Sequence, residues 1–360
     1  AVMRQAGLFG LSDHLKRLSA YGDPLEQLGR IIDFEAFRPT LTAALSYGDG
    51  AKGGRPPYDP VAMLKVLVLA AQNNVADARM EYLIRDRLSW LRFLGFDIGA
   101  ATPDANTIRL FREKLTEAGA LDAVFADFDR QLKERGYLAM GGQIVDATLV
   151  AAPKQRNTAP EKDAIKAGKT ASEIWPDEPA RAAQKDTDAR WTVKFAKAKP
   201  MANGKPGIDI AIPSFGYKNS ISICRTFGFI RKCKVTDGAR FDGRMLRDVV
   251  TSDNTASDVW ADTAYRSQAN EAWLKRQSRV SRIHRRKPRG RPMPERTAKA
   301  NAAKSKVRAR VEHVFARQKD QMGLFIRTIG IKRAEAKITL ANLVYNMHRL
   351  IFHERRAAMG

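Results

Sequence analysis

Between residues 138 and 143 the period of the sequence changes, and this change limits the possible folds more than any other feature. Upstream, apolar residues recur at helical spacing: Met80, Leu83, Ile84, Leu88 and Leu91, then Ile108, Phe111 and Leu115, then Leu121, Phe125, Phe128 and Leu132. Asp59-Pro60 and Thr102-Pro103-Asp104 read as helix openings, with Asp104 as an N-cap. From Gln143 to Val150 the run becomes Gln-Ile-Val-Asp-Ala-Thr-Leu-Val, a β-type segment enclosing Asp146. An all-α N-terminal part is therefore expected ahead of an α/β part.

The α/β part continues with strand-like runs at Tyr217–Cys224 and Phe227–Thr236. A helix over Leu246–Val250, a strand over Val259–Asp262, a helix over Gln268–Gln277 and a short strand over Val280–His284 follow. Ala298–Lys319 reads as one long helix, and Ile338, Leu340, Leu343, Val344 and Leu350 mark a last amphipathic one. Residues 151–207 are polar and rich in Lys, Ala and Pro, as expected of a long insertion that is partly helical or mobile. The expected division is an N-terminal segment and linker (1–58), a helical DNA-binding or dimerisation domain (59–138), a catalytic domain (139–322) and a C-terminal helical segment (323–360). The helical domain suits either a helix-turn-helix-like unit carrying Arg109, Arg112 and Lys114 or a bundle that only packs.

Charge narrows the partners. Lys and Arg number 63 against 39 Asp and Glu, a formal charge of +24, which points to a polyanion and above all to nucleic acid. No apolar run approaches the roughly 18–20 residues of a membrane span, and no aromatic-rich basic amphipathic helix supports membrane binding. Cys224 and Cys233 lack metal spacing and fit a reducing compartment as small core residues. No secretory signal is visible, and Met3 is expected to be the natural start. Arg279, Arg282, Arg285, Arg286, Lys287, Arg289 and Arg291 form a basic run with no acid before Glu295. Such a run is expected to be an arm (279–296) outside the core, ordered by phosphates, with a solvated loop as the alternative.

The order of elements is that of a ribonuclease-H-like α/β fold, a mixed sheet with flanking helices. Its first and fourth strands lie side by side and parallel, which would make Asp146 and Asp262 neighbours. Arg308, Glu312 and Lys319 fall on one helical stripe beside an apolar one of Val307, Val311 and Val314, so Glu312 could reach the two aspartates. Three converging carboxylates require a cation, and two magnesium ions about 3.5–4 Å apart suit in-line phosphoryl displacement. Each acid also has a plainer reading: Asp146 bending an edge strand, Asp262 opening a turn, Glu312 paired with Arg308 on the helix surface. Asp258 competes with Asp262, but four strand residues separate them by roughly 13 Å, and sites on parallel sheets gather at carboxyl ends. Asp262 is the expected ligand, with Asp258 closing the turn after Asn254.

Taken together, these residues resemble bacterial insertion-sequence transposases of the DDE class, in particular the insertion-sequence-five-like group. The likeness runs through Gly53–Pro60, Pro103–Ile108 with Phe111-Arg112, Val145–Thr148, Gly216–Lys218, Ala261–Arg266, Val307–Phe315 and Ala341–Asn346. The family pattern Arg-x3-Glu-x6-Lys is met by Arg308, Glu312 and Lys319, but its preceding tyrosine is replaced by Ser305. The resemblance implies a transposase that cleaves at its element's ends and joins the 3′-hydroxyls to target DNA. Asp146, Asp262 and Glu312 would hold two magnesium ions, with manganese able to substitute. DNA contacts are expected from Arg308, Lys319, Lys218, Tyr265, Arg266, Arg285, Arg286, Lys287, Arg289, Arg291, Arg55, Arg109 and Arg112. The implied partners are double-stranded DNA (terminal inverted repeats and target) and a second copy on DNA, in the bacterial cytoplasm at the nucleoid. A metal-dependent nuclease without strand transfer and a non-catalytic DNA-binding protein are the alternatives.

Overall fold

The computed structural model describes residues 10–46, 56–196 and 210–359. The chain forms two compact units, one of residues 1–136 with 339–360 and the other of 137–338.

In the first unit, helices α1 (Gly10–Ala20), α2 (Pro24–Ile31), α3 (Arg38–Leu45), α4 (Pro60–Asn73), α5 (Asp77–Asp86), α6 (Leu88–Leu94), α7 (Ala105–Glu117) and α8 (Ala120–Glu134) pack together. Both expected helix openings are present. Asp59 caps α4 by accepting from the amides of Val61 and Ala62 at 2.9 Å, and Asp104 caps α7 by accepting from Thr107 at 2.6 Å. Helix α4 is buried from Val61 to Leu69 except at Lys65, so it is the centre of this unit rather than a surface helix. Charged side chains clip the outer helices to one another. Arg92 of α6 holds Asp23 at the start of α2 at 2.6 Å, and Arg112 of α7 grips both oxygens of Asp77 at 2.7 and 2.5 Å.

The second unit is built on a mixed sheet of β1 (Gln143–Ala151), β2 (Arg190–Ala196), β3 (Ile210–Cys224), β4 (Ile230–Asp237), β5 (Asp258–Trp260) and β6 (Val280–Ser281). Its order is β2-β3-β1-β5-β6, with β4 on the other edge of β3. The β1–β3, β2–β3 and β3–β4 pairs are antiparallel, whereas β5 lies parallel to β1 and β6 parallel to β5. At Gly216 the long strand β3 is paired with Ala151 and with Arg190. Its φ of +152° and the 2.2 Å between a Cβ placed there and the Val150 carbonyl leave no room for another residue.

Val145 of β1, Val259 of β5 and Ala261 just after it join Leu246, Val249, Tyr265, Leu274 and Ile283 in one core with α12 (Leu246–Val249) and α13 (Gln268–Arg276). Val150, Phe215, Tyr217, Ile326, Ala334 and Ile338 form a second core, to which α15 (Ile331–Ala358) contributes its first turns. Helix α14 (Glu295–Ala316) packs on β1 and β5, burying Val311 and Val314 as the apolar stripe predicts.

The described part of the insertion, up to residue 196, carries more regular structure than its composition suggests. Helices α9 (Ala159–Lys166), α10 (Ala171–Ile174) and α11 (Pro179–Ala182) precede β2, the added strand. Glu161 staples them, accepting from Trp175 Nε1 at 2.9 Å and from Arg181 at 2.7 Å. Asp186 then anchors the segment to the sheet: its buried carboxylate accepts the Tyr217 hydroxyl at 2.8 and 2.7 Å and the amides of Asp188 and Ala189.

Candidate active site

Strand parity and register bring two of the acids together. Gln143 is opposite Val259 and Ile144 opposite Trp260 in the parallel β1–β5 pair, so continuing the register by two residues sets Asp146 beside Asp262. Parallel neighbours are about 4.8 Å apart, and both residues lie on the face opposite the Val145 core. Strand β5 ends at Trp260, earlier than the expected Asp262, but its ladder continues: the His284 amide donates to the Ala261 carbonyl at 3.1 Å. Asp262 is fixed by accepting from the Ala264 amide at 2.7 Å. Asp258, at the amino end, is ion-paired with Arg282 at 2.6 Å, so that ion pair and not a turn after Asn254 engages it.

Asp146 accepts from Arg308 at 2.9 Å and from the Ala147 amide at 2.9 Å. Burial raises the Asp146 carboxyl above the usual carboxylate range and the Asp262 charge adds to this, while Arg308 and the Ala147 amide oppose it. Polar atoms with no hydrogen-bond partner collect around the pair. They are the hydroxyl of fully buried Tyr265, Nε2 of His284 and Nε of Arg308. Tyr265 lies within the fields of Asp146, Asp242 and Asp262, and His284 within those of Arg308, Lys304 and Asp262. Buried groups left unsatisfied are rare in native folds and mark places where water, an ion or a ligand belongs. Two hard carboxylates side by side among such groups fit a divalent cation.

Glu312 is not gathered with them. Among the described residues no three His, Cys, Asp or Glu side chains come close enough to hold a metal ion. Its carboxylate is exposed and takes no side-chain partner; Arg308, its i,i+4 partner in the plainer reading, points to Asp146 instead. The single helix expected through Lys319 also breaks. Helix α14 ends at Ala316 and Arg317–Gln321 form a π-helical turn, which advances less per residue and takes Lys319 off the Arg308–Glu312 stripe. Burial, then the charge of Lys194, lowers the Lys319 ammonium below its usual value.

The chain matches the family model of the transposase DDE domain over residues 138–347, more than half its length, and that of a transposase domain (DUF772) over residues 13–114. The chain belongs to the DDE transposases. No solved structure matches it. It is therefore a DNA transposase, of the polynucleotidyl transferase and endonuclease class, in a family that generally uses divalent metals and binds DNA. The mixed sheet with flanking helices is the ribonuclease-H-like fold that the order of elements predicts. No described helix is long and apolar enough to cross a membrane.

Several residues expected to touch DNA have other work in this transposase. Tyr265 is fully buried and cannot reach a duplex as the fold stands. Lys218, with only 14% of its side chain exposed, is held 2.7 Å from Asp242 and donates to the Arg240 carbonyl. Arg112 is engaged by Asp77, and Arg109 by Glu113 at 2.5 Å and Asn106. Arg266 donates to the Ile283 carbonyl at 3.0 Å. Arg55 lies outside the described residues.

The basic arm divides in two. Arg279 donates to the carbonyls of Thr251, Ser252, Asn254 and Ala256, and Arg286 to that of Thr263, so its first half belongs to the fold. Asn301 of α14 holds the Arg285 backbone through its amide and its carbonyl, leaving that side chain exposed. Lys287, Arg289 and Arg291 are exposed and take no side-chain partner. Sequence reasoning missed His284, within the field of Asp262, and Lys304, within reach of His284. No zinc spacing marked the histidine, and only its strand pairing to Ala261 shows its place.

Proposed function

We propose that this transposase, an insertion-sequence-five-like enzyme, cleaves at the ends of its element and joins the resulting 3′-hydroxyls to target DNA at the Asp146–Asp262 pair. The observation that carries this reading is the β1–β5 register, which sets two carboxylates side by side at the carboxyl edge of a parallel strand pair. Asp146 and Asp262 would hold two magnesium ions, with Glu312 completing the set; its exposed carboxylate has no partner to give up. When bound, the cations supply Lewis acidity for in-line displacement at a phosphodiester. The chain's own residues do the rest. The Ala264 amide fixes the Asp262 carboxylate, Arg308 supplies a guanidinium for a phosphate, and Arg285, Lys287, Arg289 and Arg291 give the duplex backbone an exposed positive track. Lys319 lies within the π turn as a further cation on the same segment.

Magnesium-dependent cleavage and joining of the element's end sequences is the direct test. Asp146→Asn, Asp262→Asn and Glu312→Gln should each abolish both reactions while DNA binding survives. Asp258→Asn should leave them largely intact, because its partner is Arg282. Cleavage lost in Asp258→Asn and kept in Asp262→Asn would move the second ligand and overturn the assignment. Cleavage without joining would favour the nuclease alternative.

A further inference from the structure

Arg308 and Asp146 are both expected to act on something outside the protein, yet here each is the other's partner. Nη2 of Arg308 lies 2.9 Å from Oδ2 of Asp146, with 14% and 17% of the side chains exposed. We propose that Arg308 is the counter-ion of Asp146 in the DNA-free protein and that its transfer to a DNA phosphate opens the site to the cation. DNA then gates metal loading. This rests on the reading of Asp146 as a metal ligand.

The geometry of the contact carries the argument. Magnesium binds carboxylate oxygens at about 2.0–2.1 Å and demands a near-ideal octahedral shell. A guanidinium on Oδ2, with the Ala147 amide on Oδ1, lowers the negative charge and the open lone pairs that Asp146 can offer, and two cations on one carboxylate repel each other. Free protein therefore holds Asp146 neutralised and weak for metal.

Arg308 is also held loosely for a buried arginine. Its Nε has no partner, whereas Arg112 grips both oxygens of Asp77 and Arg279 reaches the carbonyls of Thr251, Ser252, Asn254 and Ala256. Those two hold their partners through several bonds and are structural. Arg308 keeps part of its planar fork unused, and such a fork matches a phosphate better than a single carboxylate oxygen.

The surroundings favour an arriving anion. Lys304, one turn earlier on α14, donates to the Ile283 carbonyl at 3.0 Å, and so does Arg266. Burial and the nearby charges of Arg266, Arg285 and Arg282 hold the Lys304 ammonium below its usual value, with Glu271 only partly opposing them. A phosphate placed there lowers the cost of that crowding and gives Arg308 a second acceptor. Thermodynamic reciprocity then requires the cation to strengthen DNA binding by the same factor by which DNA strengthens cation binding.

The test is manganese binding by the full chain, followed by electron paramagnetic resonance of the free ion, with and without a short duplex. Binding by Asp146→Asn is subtracted in each case to remove ions held by DNA. Without DNA, Arg308→Gln should bind manganese roughly tenfold more tightly than wild type, within the usual span of coupling between sites. Duplex should give wild type the same gain and add nothing to Arg308→Gln. Arg310→Gln removes a positive charge from the same helix but not from Asp146, since Arg310 donates to the Arg225 carbonyl, and should show no gain. Equal or weaker binding by Arg308→Gln overturns the gate, as does a gain that persists with duplex or is matched by Arg310→Gln. Should Arg308→Gln fail to fold, the wild-type comparison decides alone: no DNA-dependent gain overturns the proposal. If Asp146→Asn binds manganese as wild type does, the metal reading itself fails and the gate falls with it. A loss in Asp146→Asn without the Arg308 effect removes only the gate.

Discussion

The second unit holds two aspartates against its sheet, Asp186 buried beside β3 and Asp146 half-buried on β1, and they are treated in opposite ways. Asp186, with 4% of its surface exposed, accepts the Tyr217 hydroxyl through both oxygens and the backbone amides of Asp188 and Ala189. Nothing is left over there, and the contact ties the insertion to β3. Asp146 has one guanidinium, its neighbour's amide, an adjacent Asp262 and unpartnered atoms on Tyr265, His284 and Arg308. A saturated buried carboxylate is a fastening, and a half-satisfied one is a site awaiting a ligand.

The largest effect should separate these two directly. Asp146→Asn is expected to reduce cleavage by more than the roughly 10–100-fold that even a metal's outer partners cost. Its melting temperature should move little, because the substitution removes a charge that burial disfavours as well as a partner of Arg308. Tyr217→Phe should do the reverse, keeping cleavage per folded molecule while losing about 1–3 kcal/mol of stability from an unsatisfied buried carboxylate. Denaturant unfolding and a single-turnover cleavage assay read both. A stability loss in Asp146→Asn as large as in Tyr217→Phe would erase the distinction.

A smaller effect separates the two halves of the basic arm. Replacing Lys287, Arg289 and Arg291 with Ala should flatten the log–log salt dependence of DNA binding by up to about 0.9 per lost phosphate contact, with stability unchanged. Arg279→Ala should instead destabilise the fold, since four carbonyl groups lose their donor, and should leave the slope nearly as it was. Equal slopes in wild type and the triple variant would make the free half an ordinary solvated loop.

What the sequence reveals here depends on range. The caps at Asp59 and Asp104 are legible because their partners lie two or three residues away, and the Val311–Val314 stripe because helical spacing is local. Asp146 and Asp262 are legible as a pair because the order of strands fixes which ones are neighbours. The partner of Arg308 is not legible from spacing: the helix offers Glu312 four residues on, while the side chain it holds lies 162 residues back. Lys319 is misplaced because nothing in Arg317–Gln321 announces a π turn. The insertion looks loose because its fastenings, Glu161 to Trp175 and Asp186 to Tyr217, are side-chain contacts with no periodic signature.

The smallest effect tests whether His284 belongs to the unsatisfied region. Burial lowers its basicity below the usual histidine value of about 6.5, Arg308 and Lys304 add to this, and Asp262 opposes it. In the unfolded chain His284 takes up a proton as pH falls through that value, while in the folded chain it remains neutral to lower pH. The unfolded state then binds more protons, and stability must fall on acidification. This contribution is fully present above about pH 6.5 and is lost progressively as pH drops toward the lower folded value. His284→Gln cannot take up that proton, so its melting temperature should fall less between pH 7.5 and pH 5.5 than that of wild type. Carboxylates contribute to both proteins alike, and the difference between the two curves isolates the histidine. Parallel curves would mean that His284 meets solvent in the folded chain, which would remove it from the unsatisfied group around Asp146 and Asp262.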